Sequence, residues 1–206
     1  MEPIPDTWPP ASREDSPTAP LFPLPNVFLF PFQVLPLHVF EPRYRQMIED
    51  SLDGPGRIVM GTVHEDERDR LEGNPTVSSV AGIGEIARHV KLDDGRFNIW
   101  LVGLARARIA EVASERLYRR VTYRILPEIP CTPDDASRLR GPLEEAILSR
   151  VQNVLNLPDG VSTGALADLL LQSMHLPQAE MESLFAEIDT TRRAERALAA
   201  HQRHPT

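Results

Sequence analysis

The chain has 206 residues, of which 41% are hydrophobic and 25% charged, an ordinary globular composition that can supply the core of one domain or two small ones. Its net charge of −8 argues against a protein built mainly to neutralise nucleic-acid phosphates or an anionic membrane, although a local basic patch stays compatible with it. Cys131 is the only cysteine, so an internal disulfide and a cysteine-rich zinc site are excluded, and a reducing compartment is expected.

Lysine is almost absent, because Lys91 is the single lysine among 22 basic residues. The chain has no Gly-x-x-x-x-Gly-Lys phosphate loop, and a Ser–Lys nucleophile would have to use Lys91, which lies beside a polar turn. The run His64-Glu65-Asp66-Glu67 has no second histidine at helical spacing and is typical of a solvated loop. We therefore expect no catalytic residue, no cofactor and no metal site.

The N-terminal segment, residues 1–20, has six prolines and no basic stretch followed by a long apolar one. It does not resemble a secretory signal, and the chain has no run of the ~18 or more apolar residues that a membrane-spanning helix needs. We expect a cytoplasmic protein in which residues 1–20 form a flexible, proline-rich arm, with Trp8 as the side chain that could dock on the body.

Short extended segments are predicted for residues 21–40, LFPLPNVFLFPFQVLPLHVF, which are apolar at both alternations and interrupted by four prolines. A helix is predicted to begin at Pro42, because proline suits the first helical position and an apolar stripe follows at helical spacing. Gly54 is expected to end this helix. Residues 57–63, RIVMGTV, are a predicted strand.

The β-rich part is predicted to continue to residue 126. A hairpin is expected from GEIARHVKL and RFNIWLVGL around Asp93-Asp94-Gly95, followed by one strand from RARIAEV and another over residues 118–126. Helices are then predicted to begin at Pro142 and at Pro177, and two others are predicted with Ser162 or Thr163 and Thr190 as their N-caps. This order predicts an α+β protein whose two parts meet near residues 127–141.

Basic residues are concentrated in residues 82–126, where nine of them stand against five acidic residues. Arg106 and Arg108 share one strand face, as do Arg120 and Arg124. This pattern favours either an RNA-binding face or the solvated side of a half-buried sheet. We prefer the second, because the face lacks the interleaved aromatics that stack on single-stranded nucleic acid.

Two separated stretches resemble one known family, the N-terminal substrate-binding domain of Lon proteases, which also occurs as free-standing bacterial proteins. Residues 21–52 look like the family's Pro-Leu-Phe-Pro-Leu opening and its Phe-Glu-Pro-Arg-Tyr helix start. Residues 82–109 look like its Gly-x-x-Gly-x-Ile strand, Asp-Gly-Arg turn and Gly-x-x-Arg-x-Arg-Ile strand. The resemblance implies an α+β fold: a six-stranded, PUA-like pseudo-barrel with one short helix over residues 21–130, then a helical bundle over residues 131–206.

In that family the domain is not catalytic, and it presents unfolded or tagged polypeptides to an ATPase and a Ser–Lys protease. We therefore expect this chain to lack both of those domains and to bind unfolded or apolar protein segments as an adaptor or chaperone-like protein. RNA binding through the basic face of residues 82–126 is the alternative. A separate Lon-type protease is left open as a further partner, and no membrane partner is expected.

The motif residues Glu41, Arg43, Tyr44 and Gly95 are interpreted as parts of the fold rather than of a site. Glu41 is expected to accept hydrogen bonds from amides of the first helical turn, and Tyr44 to pack inward. Arg43 is expected to pair with a carboxylate across the barrel, and Gly95 to supply the hairpin turn.

Phe32 departs from the family pattern, which usually has glycine or another small residue after Leu-Phe-Pro. An exposed aromatic side chain at a bend is what a binder of unfolded chains would use. We therefore predict an apolar polypeptide-binding surface around Phe32, with Trp100 as the second choice. The alternative is that both side chains belong to the core.

Overall fold

The computed structural model describes residues 17–70, 73–151 and 160–204, which form a β-rich part followed by a helical part. The β-rich part comprises β1 (Thr18–Pro25), β2 (Val34–Val39), α1 (Pro42–Leu52), β3 (Arg57–Val63), a 3₁₀ helix (Glu65–Arg70), β4 (Val80–Lys91), β5 (Phe97–Val112) and β6 (Arg120–Ile125). The helical part comprises α2 (Pro133–Arg150), α3 (Thr163–Gln172), α4 (Gln178–Phe185) and α5 (Thr190–Arg203). The predicted α+β class is confirmed.

The six strands form one sheet in the order β2-β5-β4-β3-β1-β6, in which β1 and β3 are parallel and the other neighbours antiparallel. The C-terminal half of β5 also pairs with β6, so five strands close into a ring. The N-terminal half of β5 pairs with β2, which extends from the ring. This is the observed form of the expected pseudo-barrel.

The sheet begins earlier than the sequence suggested. Residues 18–20 pair with residues 120–122 of β6, and Ala19 is buried, so they belong to the sheet and not to the expected arm. Pairing with β6 outweighs the low strand preference of Pro20, which a strand tolerates where its missing N–H costs no ladder bond. Residues 1–16, including Trp8, lie outside the described residues.

A single 16-residue strand, β5, replaces the two strands expected from RFNIWLVGL and RARIAEV. Gly103 lies opposite Gly84 and Ala105 lies opposite Ile83, which leaves Leu104 as an extra residue in the ladder. Such a β-bulge shifts the inward–outward alternation without ending the strand. The change in sequence pattern at Leu104 therefore marks a bulge and not a strand boundary.

The first long helix, α2, begins nine residues before the predicted start at Pro142. Thr132 is its N-cap, with a side-chain oxygen that accepts a backbone N–H, and Pro133 occupies the first helical position. Pro142 lies inside the helix, where it removes one backbone hydrogen bond. The helix α5 begins at Thr190, and its N-cap is Asp189 rather than the predicted Thr190.

The β1–β2 loop joins the sheet core to the helical core. Leu29 packs in the sheet core, whereas Phe30 packs in the helical core with its ring centroid 5.1 Å from that of Phe185. The loop lies directly on the sheet backbone: a Cβ atom at Gly103 would lie 2.0 Å from the Phe30 carbonyl oxygen, and one at Gly82 would lie 2.2 Å from that of Leu29. Only glycine permits this approach.

Two buried arginines join the helical part to the sheet. Arg106 of β5 donates to the Phe185 carbonyl oxygen at 2.6 Å and to Asp168 Oδ1 at 2.6 Å. Arg193 of α5 contacts the same Asp168 oxygen at 3.0 Å, and both arginines pair with Glu128 Oε1. Burial lowers the pKa of the Arg106 guanidinium, while the Asp168 carboxylate acts in the opposite direction. The cluster is charge-compensated only while both carboxylates are present.

Candidate functional site

Phe32 lies at the tip of the β1–β2 loop, with φ at +65° and 80% of its surface exposed. Its backbone is fixed, because its N–H donates to the Gly103 carbonyl oxygen at 2.8 Å and the Gly103 N–H donates to the Gln33 carbonyl oxygen at 2.9 Å. A bulky side chain in the left-handed region is rare and strained. Glycine, which the family often has at this position, would avoid that strain, whereas this chain places an aromatic ring in solvent at a conformational cost.

An apolar surface continues from Phe32 along the outward face of β2 and β5. In the antiparallel register Val34 lies opposite Val102, and Pro36 lies opposite Trp100. Residues directly opposite each other project to the same side of a sheet. We call these four residues the outer strip. Their strand neighbours on the other face pack in the sheet core.

Trp100 is half-buried within the outer strip and does not lie in the core. The Arg88 guanidinium lies 5.0 Å from the centre of its ring, so a cation–π contact covers part of one face. Phe32 precedes Val34 by two residues in the chain, and Trp100 precedes Val102 by two residues on the antiparallel strand β5. Phe32 and Trp100 therefore lie on opposite sides of the Val34–Val102 pair. The structure therefore brings both predicted residues to one end of the β2–β5 ladder, with Val34 and Val102 between them.

β2 has a neighbour on only one side in the described part of the chain, and Pro36 lies at its centre. Gln33 bonds toward β5, and with the two-residue alternation of antiparallel ladders Leu35 and Leu37 do the same. The Pro36 nitrogen then faces the open edge, where its missing N–H costs no ladder bond. An edge proline also discourages another strand from adding there.

The motif residues around the start of α1 make local contacts. Glu41 is the N-cap of α1, but its side chain makes no capping hydrogen bond, contrary to expectation. Its carboxylate instead accepts from Arg43 Nε at 3.0 Å, so Arg43 pairs with a carboxylate two residues away. Tyr44 is buried with its ring centroid 4.4 Å from that of Phe22, and burial raises the pKa of its hydroxyl.

Gly95 closes the β4–β5 hairpin with φ at +79°. Its N–H donates to the Leu92 carbonyl oxygen at 2.8 Å, and a Cβ atom at this position would lie 2.1 Å from an Arg45 nitrogen. Asp94 accepts from the backbone and side chain of Arg96, and these hydrogen bonds lower the pKa of its carboxyl. The turn is thus built from its own residues and from α1.

Five of the nine basic residues of the 82–126 segment are buried or paired with a carboxylate. Arg106 was expected on a solvated face, but α3 to α5 cover it and it is buried, which corrects that expectation. Arg119 is held by Glu111, and this pairing lowers the pKa of the Glu111 carboxyl. Lys91 pairs with Glu49. Nothing in this arrangement forms a continuous platform of arginines and aromatic rings for RNA.

Sequence reasoning singled out Phe32 and Trp100 as candidates but not the apolar residues near them. Val34 is 55% exposed and Leu104, the bulge residue, is 42% exposed. Val34 could have been found from the alternation VLPLHV once β2 was known to be an edge strand. Leu104 could have been found in the same way, because it continues the alternation of Trp100 and Val102 along β5.

None of the helices in the described part of the chain combines the length and the apolar content that a membrane crossing requires. Across residues 17–70, 73–151 and 160–204, histidine, cysteine and acidic side chains also form no group of three suited to a metal ion.

The sequence profile described as "ATP-dependent protease La (LON) substrate-binding domain" matches residues 18–202. Lon protease 2 of Sorangium cellulosum is 32% identical over 189 residues, which cover 84% of this chain and 23% of that protein. The Lon protease of Geobacter metallireducens is 28% identical over 214 residues, which cover 95% of this chain and 25% of that protein. The chain therefore spans about a quarter of the length of these curated relatives.

Solved structures show the same fold. The N-terminal domain of a Mycobacterium avium complex Lon protease superposes with a TM-score of 0.69 and 20% identity, covering 91% of this chain and all of that one. A Lon N-terminal domain protein from Xanthomonas campestris superposes with a TM-score of 0.64 and 22% identity, covering 89% of this chain and 98% of that one. At these identities the likeness concerns the fold.

Proposed function

The chain belongs to the Lon substrate-binding domain family, and we propose that it is a non-catalytic module that binds unfolded or apolar polypeptide segments. The binding surface is the outer strip together with Phe32 and Leu104. RNA is not proposed as a ligand, because five of the nine basic residues of the 82–126 segment are buried or paired with a carboxylate. The exposed pair Arg108 and Arg124 makes no cation–π contact in the described part of the chain.

The observation that carries the proposal is the exposure of Phe32 in a strained backbone conformation. A ring that is mostly exposed contributes little to packing, while its backbone conformation costs energy, and such strain is found where a side chain has a function. Exposed aromatic residues are also the side chains that most often dominate the energy of protein contacts. Phe32 is therefore the proposed anchor of the surface.

The outer strip supplies a surface suited to extended, apolar segments. Val34, Val102 and Leu104 add aliphatic side chains to the surface that Phe32 begins, and Trp100 adds a half-buried indole. Burying such groups stabilises a contact by about 25 cal/mol per Å² of apolar area, without any requirement for a particular sequence. The surface is therefore fitted for low specificity, as the recognition of unfolded chains requires.

The role in the cell is proposed as that of an adaptor or a chaperone-like protein. The relatives of which this chain matches about a quarter are named Lon proteases. If the chain acts as an adaptor, a Lon-type protease in the same cytoplasm is the partner that would take over its clients. If it acts as a chaperone, the clients are released unfolded.

The test is a titration of a permanently unfolded, reduced and alkylated protein against the full chain. In a Trp8→Phe background Trp100 is the only tryptophan, so its emission should shift to shorter wavelength and become less accessible to quencher when a client covers the outer strip. Phe32→Ala should weaken binding about ten-fold, since an anchoring aromatic contributes more than ~1 kcal/mol.

Leu148→Ala is the control, because Leu148 is an exposed apolar residue on α2, in the helical part and away from the outer strip. It should leave the affinity unchanged. The native, disulfide-intact form of the same client should not bind. Equal binding of the native and unfolded forms, or loss of affinity in Leu148→Ala as large as in Phe32→Ala, would contradict the proposed surface.

A further inference from the structure

Two arginines face each other on the outward side of the β5–β6 ladder. Arg108 lies directly opposite Arg124, and both are exposed. Neither makes a hydrogen bond or ion pair within the described part of the chain. Like charges directly opposite each other destabilise a sheet, so this pair is unfavourable unless an anion lies beside it.

Arg120 lies on the same face of β6, four residues before Arg124. Its Nη2 donates to the Thr18 hydroxyl at 2.6 Å, but its Nε is shielded from solvent and has no hydrogen-bond partner among the described residues. We call Arg108, Arg120 and Arg124 the arginine face. Three cations without a described carboxylate partner, one of them with an unsatisfied donor, indicate a site for a carboxylate-bearing ligand.

The N-terminal arm leaves the sheet at this face. The Tyr123 N–H donates to the Pro17 carbonyl oxygen at 3.1 Å, and Thr18 lies opposite Thr122. Arg124 therefore follows directly after Tyr123, the last residue of β6 for which a contact with the N-terminal segment is described. Glu14 and Asp15 precede Pro17 by three and two residues, so their Cα atoms lie within about 11 Å of it, even if the chain is fully extended.

The arm has the opposite charge. Residues 1–16 contain four acidic side chains and one arginine. Because the segment is tethered this closely, its effective concentration at the arginine face is in the millimolar range. Nearness, tethering and charge all single out the arm as the occupant.

We propose that the arginine face binds the acidic pair Glu14–Asp15 of the chain's own N-terminal arm. The contact is electrostatic and lies on β5 and β6, whereas the outer strip lies on β2 and the other half of β5. It is independent of the proposed function, and each can fail without the other. Because exposed charges are screened within ~10 Å at 0.1 M salt, the contact holds at low ionic strength and is released at high ionic strength.

Trypsin tests the contact in the intact chain, because Arg13 immediately precedes Glu14. When the acidic pair is held on the sheet, the Arg13–Glu14 bond cannot enter the protease in extended form. The variant Arg108→Gln, Arg124→Gln leaves the cleaved sequence untouched. At low salt we expect it to be cleaved after Arg13 about five-fold faster than the wild type, as measured by mass spectrometry.

Arg192→Gln is the control, because Arg192 is 73% exposed on α5, far from the arm in sequence. It should be cleaved at the wild-type rate, and 0.5 M salt should bring all three proteins to the same rate. A synthetic peptide of residues 8–20 corrects for the effect of salt on trypsin. Unchanged circular dichroism melting shows that the double variant is folded. Equal rates for the wild type and the double variant at low salt would overturn the proposal, as would RNA binding to this face without any effect on the cleavage rate.

Discussion

Two substitutions at Phe32 separate backbone strain from ligand contact. Phe32→Ala and Phe32→Gly both remove the ring, but only glycine relieves the left-handed conformation at φ +65°. The comparison between the two variants therefore isolates the strain, because the loss of the ring is common to both. The comparison of each with the wild type isolates the ring.

The magnitudes follow from exposure and conformation. With 80% of Phe32 exposed, the ring buries only about 40 Å² of its roughly 200 Å², worth about 1 kcal/mol of folding free energy. A left-handed residue other than glycine costs about 1–2 kcal/mol, whereas glycine costs about 0.5–1 kcal/mol in conformational entropy. Phe32→Gly should therefore be more stable than Phe32→Ala by about 0.5–1 kcal/mol, the reverse of the order at an ordinary position.

Urea denaturation of the two variants measures this difference, and titration with the unfolded client measures binding. Both variants should lose affinity to the same extent, about ten-fold, although their stabilities differ. If alanine is as stable as glycine at this position, the backbone is not strained as described. If the glycine variant keeps wild-type affinity, the ring of Phe32 does not contact the client.

Three further predictions concern the fold that presents this surface. Gly103→Ala should destabilise the protein by about 3 kcal/mol, because its Cβ would meet a backbone carbonyl of the β1–β2 loop. A Cβ at Gly141 would have nothing within 4 Å, so Gly141→Ala should stabilise α2 by about 0.5–1 kcal/mol. Equal urea midpoints for the two variants would refute the close approach. Asp168→Asn should lower the free energy of unfolding by about 3–5 kcal/mol, because it leaves buried guanidinium charge uncompensated. Asp135→Asn, at an exposed ion pair, should lower it much less. Similar losses in the two variants would show that the buried cluster does not hold the two parts together. Burial and, to a smaller extent, a hydrogen bond to a carboxylate raise the pKa of Tyr118 to about 12. The fold therefore favours the protonated hydroxyl, and the stability that this contributes is lost as the pH rises from about 10 to 12. Urea titrations should show that Tyr118→Phe loses less stability over that window than the wild type, and an equal loss would contradict the assignment.

The sequence was sufficient where one local rule decided the outcome. Residues 57–63 form the predicted strand, and α1 begins at Pro42 as predicted, because proline geometry and apolar spacing act within a few residues. The same local rule gave a wrong helix start at Pro142, which lies inside α2. A proline is most often found at a helix start, but the Thr132 cap and the apolar stripe around Leu143 outweigh the loss of one hydrogen bond.

Long-range packing decided what the sequence could not show. Arg106 and Arg108 share one strand face, and nothing in the local pattern distinguishes them. Helices from the second half of the chain cover Arg106 and turn it into the centre of a buried cluster, whereas Arg108 remains in solvent. The candidate site shows the same limit: Phe32 was singled out by a departure from a family pattern, while its left-handed conformation becomes visible only once the loop is seated on Gly103.

Pro36 limits how an unfolded chain can be bound at this surface. A client that added as a strand to β2 would bind through backbone hydrogen bonds and would be indifferent to its own side chains. Pro36 removes the central donor from that edge, so the backbone route is weakened while the apolar face beside it stays open. Recognition through the outer strip then depends on the client's apolar side chains, which a folded protein keeps inside. The edge proline and the exposed ring of Phe32 thus favour the same outcome: selection of chains by their exposed apolar residues, and protection against the strand-to-strand aggregation that an open edge invites.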